Sequence, residues 1–314
     1  MAVKGRTELN PETTVGELLK VGKEAHAELW YLFGQLGGNL IIPAKTTLRD
    51  LRKMAKSRDM RKRARENKPD DQRISGPLHG KVAVVTGASR GIGLAIATAL
   101  AARGCDLALM ARDVTKLREI AHKLARGTGV RVVVKSCDVR DAGAVQDFFH
   151  AFRRRFKRLD YLINNAGVAH ALAPVQILDP LQWTNVIATN LHGTFLCTHF
   201  ALPLMQEGGA IVNNLSVAAT NFFPGAAGYN ASKWGALGLT NTLREELRPR
   251  RIRVIALIPG PTDTEIWNQF MPQMAHSERM MSADTIAQAV VDALSLPDKA
   301  VVEELKIRPI TGSI

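Results

Sequence analysis

KVAVVTGASRGIGLAIATALAARG, residues 81–104, decides the fold. A short β-rich run leads straight into a turn with glycines at 87, 91 and 93, and an apolar run of helical length follows. The glycines let the backbone turn tightly and approach a ligand closely. A helix that begins directly behind such a turn offers unpaired backbone N–H groups and the positive end of its dipole to an anion. The spacing is GxxxGxG rather than GxGxxG, and in a strand–turn–helix setting it points to a bound dinucleotide.

The same alternation repeats downstream. β-rich runs stand at 106–111, 131–136, 159–164, 210–215, 253–258 and 300–305, and most are separated by helical patterns such as AGAVQDFFHAFRRRF. Strands alternating with helices call for parallel strands joined by crossovers. The expected fold is therefore α/β: a Rossmann-like, doubly wound parallel sheet of about seven strands with helices on both faces. Ligands of such sheets bind beyond the carboxyl ends of the strands.

Upstream the texture differs. Val15, Leu18, Leu19, Ala25, Leu29, Trp30 and Phe33 fall at helical spacing, Pro43 ends that unit, and a basic stretch follows. Ser75-Gly76-Pro77 reads as a linker. Residues 1–77 are thus expected to form a helical, partly basic extension, and residues 78–314 the dinucleotide-binding domain. Residues 45–73 hold twelve Lys or Arg against five Asp or Glu, so +7 of the net charge of +13 resides there. Such a run suits a solvated helix face, a protein partner or an anionic membrane surface. No aromatic residue interleaves it, which disfavours nucleic acid.

The chain has 314 residues, 46% apolar and 23% charged, an ordinary globular composition. Cys105, Cys137 and Cys197 are an odd, widely spaced set without CxxC, which fits a reducing compartment and no disulfide framework. The eight histidines form no ligand pattern, so no metal is expected. No stretch has the apolar length of a membrane span, and the N-terminus lacks a signal-peptide layout. A cytoplasmic location is expected, with peripheral membrane association through residues 1–74 as a variant.

Further motifs fall after the other strands. Arg112 stands at the tip of the second strand, where an acidic residue would accept from a ribose 2′-hydroxyl, and Arg90 lies inside the glycine turn. Two guanidinium groups suit a 2′-phosphate, favouring NADP (NADPH) over NAD. Arg112 would also serve as a plain helix-entry residue with Asp113 as cap. CDVRD (137–141) places Asp138 to accept from an adenine amino group, and NNAG (164–167) makes another small-residue turn; either fits a turn alone. In YNASK (229–233), Tyr229 and Lys233 are four apart, so a helix would bring them to one face. An ammonium beside a phenol favours the phenolate.

TGASRGIG, CDVRD, NNAG, a serine thirteen residues before the tyrosine of YNASK, and PGPTDT (259–264) together resemble a short-chain dehydrogenase/reductase. The likeness spans about residues 78–314 and is nearest to the ordinary-length branch, in particular to NADP-dependent 3-oxoacyl-carrier-protein reductases. It implies a tetrad: Tyr229 as general acid/base, Lys233 lowering its pKa and holding the nicotinamide ribose, Ser216 fixing the substrate oxygen, and Asn190 kinking a long helix. It also implies cofactor contacts from Gly87, Ser89, Arg90, Gly91, Ile92, Gly93, Arg112, Asp138, Val139, Asn165, Ala166 and Gly167. Around the nicotinamide it adds Pro259, Gly260, Thr262 and Thr264. Leu215, where the family often has a second serine, reads as packing, and residues 1–77 have no counterpart in the pattern.

The function so implied is an NADP-dependent oxidoreductase that interconverts a carbonyl and a secondary alcohol by hydride transfer. Its substrate would be a small ketone or alcohol, a steroid-like ring or an acyl thioester, and the family is usually a homodimer or homotetramer. The Met-rich loop 268–281 would cover an apolar part of that substrate. The alternative is a non-catalytic or moonlighting scaffold subunit that docks through the basic N-terminal arm.

Overall fold

The computed structural model describes residues 49–50, 76–274, 278–297 and 299–312. Apart from Arg49 and Asp50, the helical and basic stretches read at the N-terminus lie outside the described residues, as does part of the Met-rich loop. The order of elements is β1 (Val82–Thr86), α1 (Gly91–Ala102), β2 (Asp106–Ala111), α2 (Val114–Thr128), β3 (Val132–Ser136), α3 (Ala142–Arg155) and β4 (Leu159–Asn164). There follow α4 (Pro180–Ile187), a π-helical stretch (Ala188–His192), α5 (Gly193–Ala201), β5 (Met205–Asn214), α6 (Ala227–Leu247) and β6 (Arg253–Pro259). The last elements are α7 (Trp267–Phe270), α8 (Ala283–Leu294) and β7 (Glu304–Ile307). The seven strands form one parallel sheet in the order β3-β2-β1-β4-β5-β6-β7, the expected doubly wound architecture.

Strand alternation divides the core into two layers, because successive side chains point to opposite faces. Ala83 and Val85 of β1, Leu107 and Leu109 of β2, and Ile255 and Leu257 of β6 pack on one face beneath α1, α2 and α8. Val82, Val84, Ala108, Met110 and Val254 point the other way, against Phe148, Phe149 and Phe152 of α3, Leu196 of α5 and Leu243 of α6. Both faces being covered, the central strands have no polar side and read as continuous apolar runs.

Local chemistry sets the helix ends. Asp113, Asp141, Asp179 and Ser282 each accept a hydrogen bond from a first-turn N–H at the starts of α2, α3, α4 and α8, and Gly129 closes α2 at φ 75°. Such caps satisfy backbone groups that the helix leaves orphaned. At the amino end of the sheet, the buried Asp160 accepts from Val82 N and pairs with Lys81 and Arg158, which ties β4 to β1.

Two strands differ from the sequence reading. β5 starts at Met205 rather than 210, five residues before the apolar run. β7 lies at 304–307 rather than 300–305, because its register is fixed by β6, with Ala256 opposite Glu304 and Pro259 opposite Ile307. Among the described residues, no helix is long and apolar enough to cross a membrane.

Candidate active site

The carboxyl ends of β1, β4 and β5 are tied to one another by side chains. Thr86 Oγ1 accepts from Asn165 N and Ala166 N, both at 2.9 Å. Asn165 Nδ2 donates to Thr86 O and Gly87 O, and its Oδ1 accepts from Asn214 Nδ2 at 2.8 Å. The glycine turn rests on this bracket. Gly87 has φ 63°, and a Cβ there would meet Ala166 Cα at 2.8 Å. A Cβ on Gly93 would collide with the Asn165 amide, so this glycine serves packing and does not line the cleft. Behind the turn, α1 begins at Gly91 with no side-chain cap and no acidic residue in its first turn, so its leading N–H groups face outward.

A cleft of about 540 Å³ opens over these strand ends. Of the residues expected to hold a cofactor, it is lined by Gly87, Ser89, Arg90, Gly91, Ile92, Arg112, Asp138, Val139, Asn165, Ala166, Gly167, Tyr229, Lys233, Pro259, Gly260, Thr262 and Thr264. Arg90 and Arg112 are exposed at its mouth, and Asp113 does cap α2. Asp138 lines the cleft and is also held by its neighbour. Arg140 wraps it through Nε and Nη2, with the closest contact at 2.6 Å, and donates its remaining nitrogen to Asn185. That guanidinium and its hydrogen bonds hold the Asp138 carboxyl below its ordinary pKa.

Ser216 follows β5 and caps the turn after it, its Oγ accepting from Ala218 N. Tyr229 sits in the first turn of α6, and Lys233 is one turn on. The ammonium lies 5.6 Å from the centre of the phenol ring and donates to Asn214 O at 2.9 Å. Burial pulls Lys233 down to about 8. Burial pushes Tyr229 above its ordinary value, while a hydrogen bond with Ser216 pulls it back. Desolvation disfavours whichever form is charged, which lowers a lysine and raises a tyrosine.

Asn190 does not line the cleft. It is buried in the π-helical stretch, where Oδ1 accepts from Val168 N and Nδ2 donates to Val168 O and Ser232 Oγ. It therefore braces the turn after β4 against α6, directly behind Lys233. Leu215 is buried among Ala219, Ala236 and Ile258, as packing requires.

Several lining residues were not read from the sequence. Lys116 and Arg140 add to the charges near Arg112, and Glu265 stands beside the start of α1, with Oε2 3.7 Å from where a Gly91 Cβ would be. Ile266, Trp267, Phe270 and Met271 form an apolar wall, and the Phe270 ring is 5.4 Å from that of Tyr229. The wall starts before the loop assigned to this task; the signal was the aromatic pair Trp267 and Phe270, three residues apart.

The short chain dehydrogenase family matches residues 81–275. The D-threitol dehydrogenase of Mycolicibacterium smegmatis is 38% identical over 224 residues, which is 68% of this chain and 85% of the relative. The farnesol dehydrogenase of Aedes aegypti is 33% identical over 238 residues, 74% of this chain and 96% of the relative. An alcohol dehydrogenase from the archaeon Thermococcus sibiricus, complexed with 5-hydroxy-NADP, superposes with a TM-score of 0.68 at 34% identity. That superposition covers 73% of this chain and 97% of the other. With the family pattern spanning its sheet from β1 past β6, this chain belongs to the short-chain dehydrogenases.

Proposed function

We propose that the protein interconverts a carbonyl and a secondary alcohol with NADP(H), Tyr229 acting as general acid/base. The observation that carries this reading is the convergence of Ser216, Tyr229 and Lys233 in one cleft with an uncapped helix start behind a glycine turn. That helix start, and the bare backbone at Gly87, fit a pyrophosphate. Arg90 and Arg112, with no carboxylate at the tip of β2, fit a 2′-phosphate better than a free 2′-hydroxyl. The NADP named with the Thermococcus sibiricus enzyme agrees with this preference.

When bound, the nicotinamide supplies or takes up the hydride. The protein's part is to hold and to move one proton. In reduction, the Tyr229 hydroxyl gives its proton to the oxygen of the substrate as that oxygen becomes an alkoxide, and Ser216 Oγ–H holds the same oxygen in place. In oxidation, the phenolate takes the proton back. Lys233 supports the phenolate and offers its remaining N–H groups to the ribose, and Asn190 positions both by fixing Val168 and Ser232. A positioned acid/base of this kind is worth about 10²–10⁴ in rate.

Tyr229→Phe tests the reading, because it removes one hydroxyl from the cleft and little else. Turnover should fall by about 10²-fold or more, while fluorescence titration still shows NADPH binding more tightly than NADH. A variant that keeps most of its activity removes Tyr229 from the chemistry. Equal affinity for the two cofactors removes the 2′-phosphate from the recognition.

A further inference from the structure

The cleft is chemically lopsided. Charges gather at the end near α1 and the tip of β2, where Arg90, Arg112, Lys116, Asp138, Arg140 and Glu265 line it. Around Tyr229 the lining is Val217, Phe223, Ile266, Trp267, Phe270 and Met271, with the methyl groups of alanines between them. Lys233 is the one charged side chain in that half among the described lining residues, and its ammonium is buried against Asn214 O.

Most polar side chains of this half are already spent on the protein itself. Trp267 Nε1 donates to Thr262 O at 2.8 Å, leaving only the ring to face outward. Thr262 Oγ1 donates to Gly260 O, and Asn214 Nδ2 to Asn165 Oδ1. Asn214 Oδ1 has no partner, but it is buried out of reach of solvent. Among the described lining side chains of this half, Ser216 and Tyr229 remain, enough to bind one oxygen. A second hydroxyl, a carboxylate or a sulfonate close to that oxygen would lose water and gain nothing, at a cost of roughly 5–150-fold for each unpaired group. Each methylene buried there instead gains about fourfold.

The wall also has a shape. Phe270 is tilted 44° to Tyr229 and 65° to Trp267, with ring centres 5.4 and 5.8 Å apart. Rings set at such angles make a corner rather than a parallel slot. A flat aromatic ligand could stack on only one of them, whereas a puckered ring or a branched chain can touch both.

We propose that the substrate is a lipophilic, uncharged ketone or secondary alcohol with an alicyclic or branched isoprenoid skeleton and no second polar group near the reacting carbon. Short polyols, sulfonated aldehydes and charged acyl thioesters are disfavoured. The proposal rests on Tyr229 and Ser216 holding the reacting oxygen, and its test separates the two ideas.

The full-length chain loaded with NADPH is offered 2-decalone, geranylacetone, erythrulose, sulfoacetaldehyde and acetoacetyl-coenzyme A. Turnover is followed at 340 nm, and binding of each compound to the NADPH complex of Tyr229→Phe is measured by calorimetry. The two lipophilic ketones should lead the others by about 100-fold in kcat/KM and in affinity, the discrimination a matched apolar pocket achieves. Phe270→Ala and Trp267→Ala should each lower kcat/KM for the lipophilic pair by about tenfold or more relative to erythrulose. Erythrulose, sulfoacetaldehyde or the thioester equalling the lipophilic pair overturns the proposal. Failure of every ketone to be consumed overturns the oxidoreductase reading instead, and the calorimetric order still decides the substrate class.

Discussion

At the scale of single residues, Lys233 and Tyr229 have been moved in opposite directions by the same cause. Lys233 falls from an ordinary 10.5 to about 8. Between those values the unfolded chain keeps a proton that the folded chain has released, so this contribution to stability rises with pH and is lowest below pH 8. The buried thiols act the other way. Burial raises Cys105, Cys137 and Cys197, Cys137 to about 11, so above pH 9 the unfolded chain sheds protons that the folded one retains. Lys233→Met removes the first effect and leaves the second. The difference in urea-unfolding free energy between parent and variant should move in the parent's favour by about 1 kcal/mol from pH 7 to pH 9. A difference that stays constant over that range means the lysine is not desolvated. Residue types alone showed which side chains gather here, but not these directions, which depend on what covers them. Asp138 makes the same point: Arg140, two residues on, wraps the carboxylate, a pairing that the residue types alone did not show.

At the scale of elements, the junction of β1 and β4 depends on one hydroxyl. Thr86 is buried, and its oxygen serves two backbone N–H groups of the NNAG turn. Thr86→Val keeps the shape and strands both donors. Unfolding should become easier by roughly 2–4 kcal/mol, the cost of one or two buried unsatisfied groups, with NADPH affinity falling alongside. Thermal and urea denaturation with and without NADPH measure both, and an unperturbed midpoint would show that water reaches the turn. β2 and β4 were legible to the residue because their apolar runs are buried on both faces and bounded by polar ends. β7 was not: AVVEEL is as apolar as a strand, but Val301 is exposed and pairing with β6 selects the residues after it. Gly93 was legible as a glycine the turn requires, but not as one required for packing, since the amide it meets belongs to Asn165, 72 positions away.

At the scale of the molecule, every described residue that lines the cleft lies at or after Gly87. Leu78 is fully buried in the core and sets the latest point at which an N-terminal truncation can end. Deleting residues 1–74 should leave a folded protein that binds NADPH with unchanged affinity, while assembly or membrane attachment is altered. Cofactor titration, mass photometry and liposome co-sedimentation beside the full chain test this. A truncated protein that folds but no longer binds NADPH would assign the extension to the active site. The order of strands has a consequence for synthesis as well. β3, β2, β1 and β4 are neighbours and are complete by Asn164, so this half-sheet can form before β5 has been translated. At about 5–20 residues per second the 50 residues from Asn164 to Asn214 take roughly 3–10 s. Throughout that interval, β4, whose every side chain is buried in the finished protein, has one hydrogen-bonding edge without its partner β5. Such an edge is open to pairing with another chain. The nascent protein is thus exposed to misassembly between the making of β4 and that of β5, and slowing the ribosome between residues 164 and 214 would lengthen that exposure.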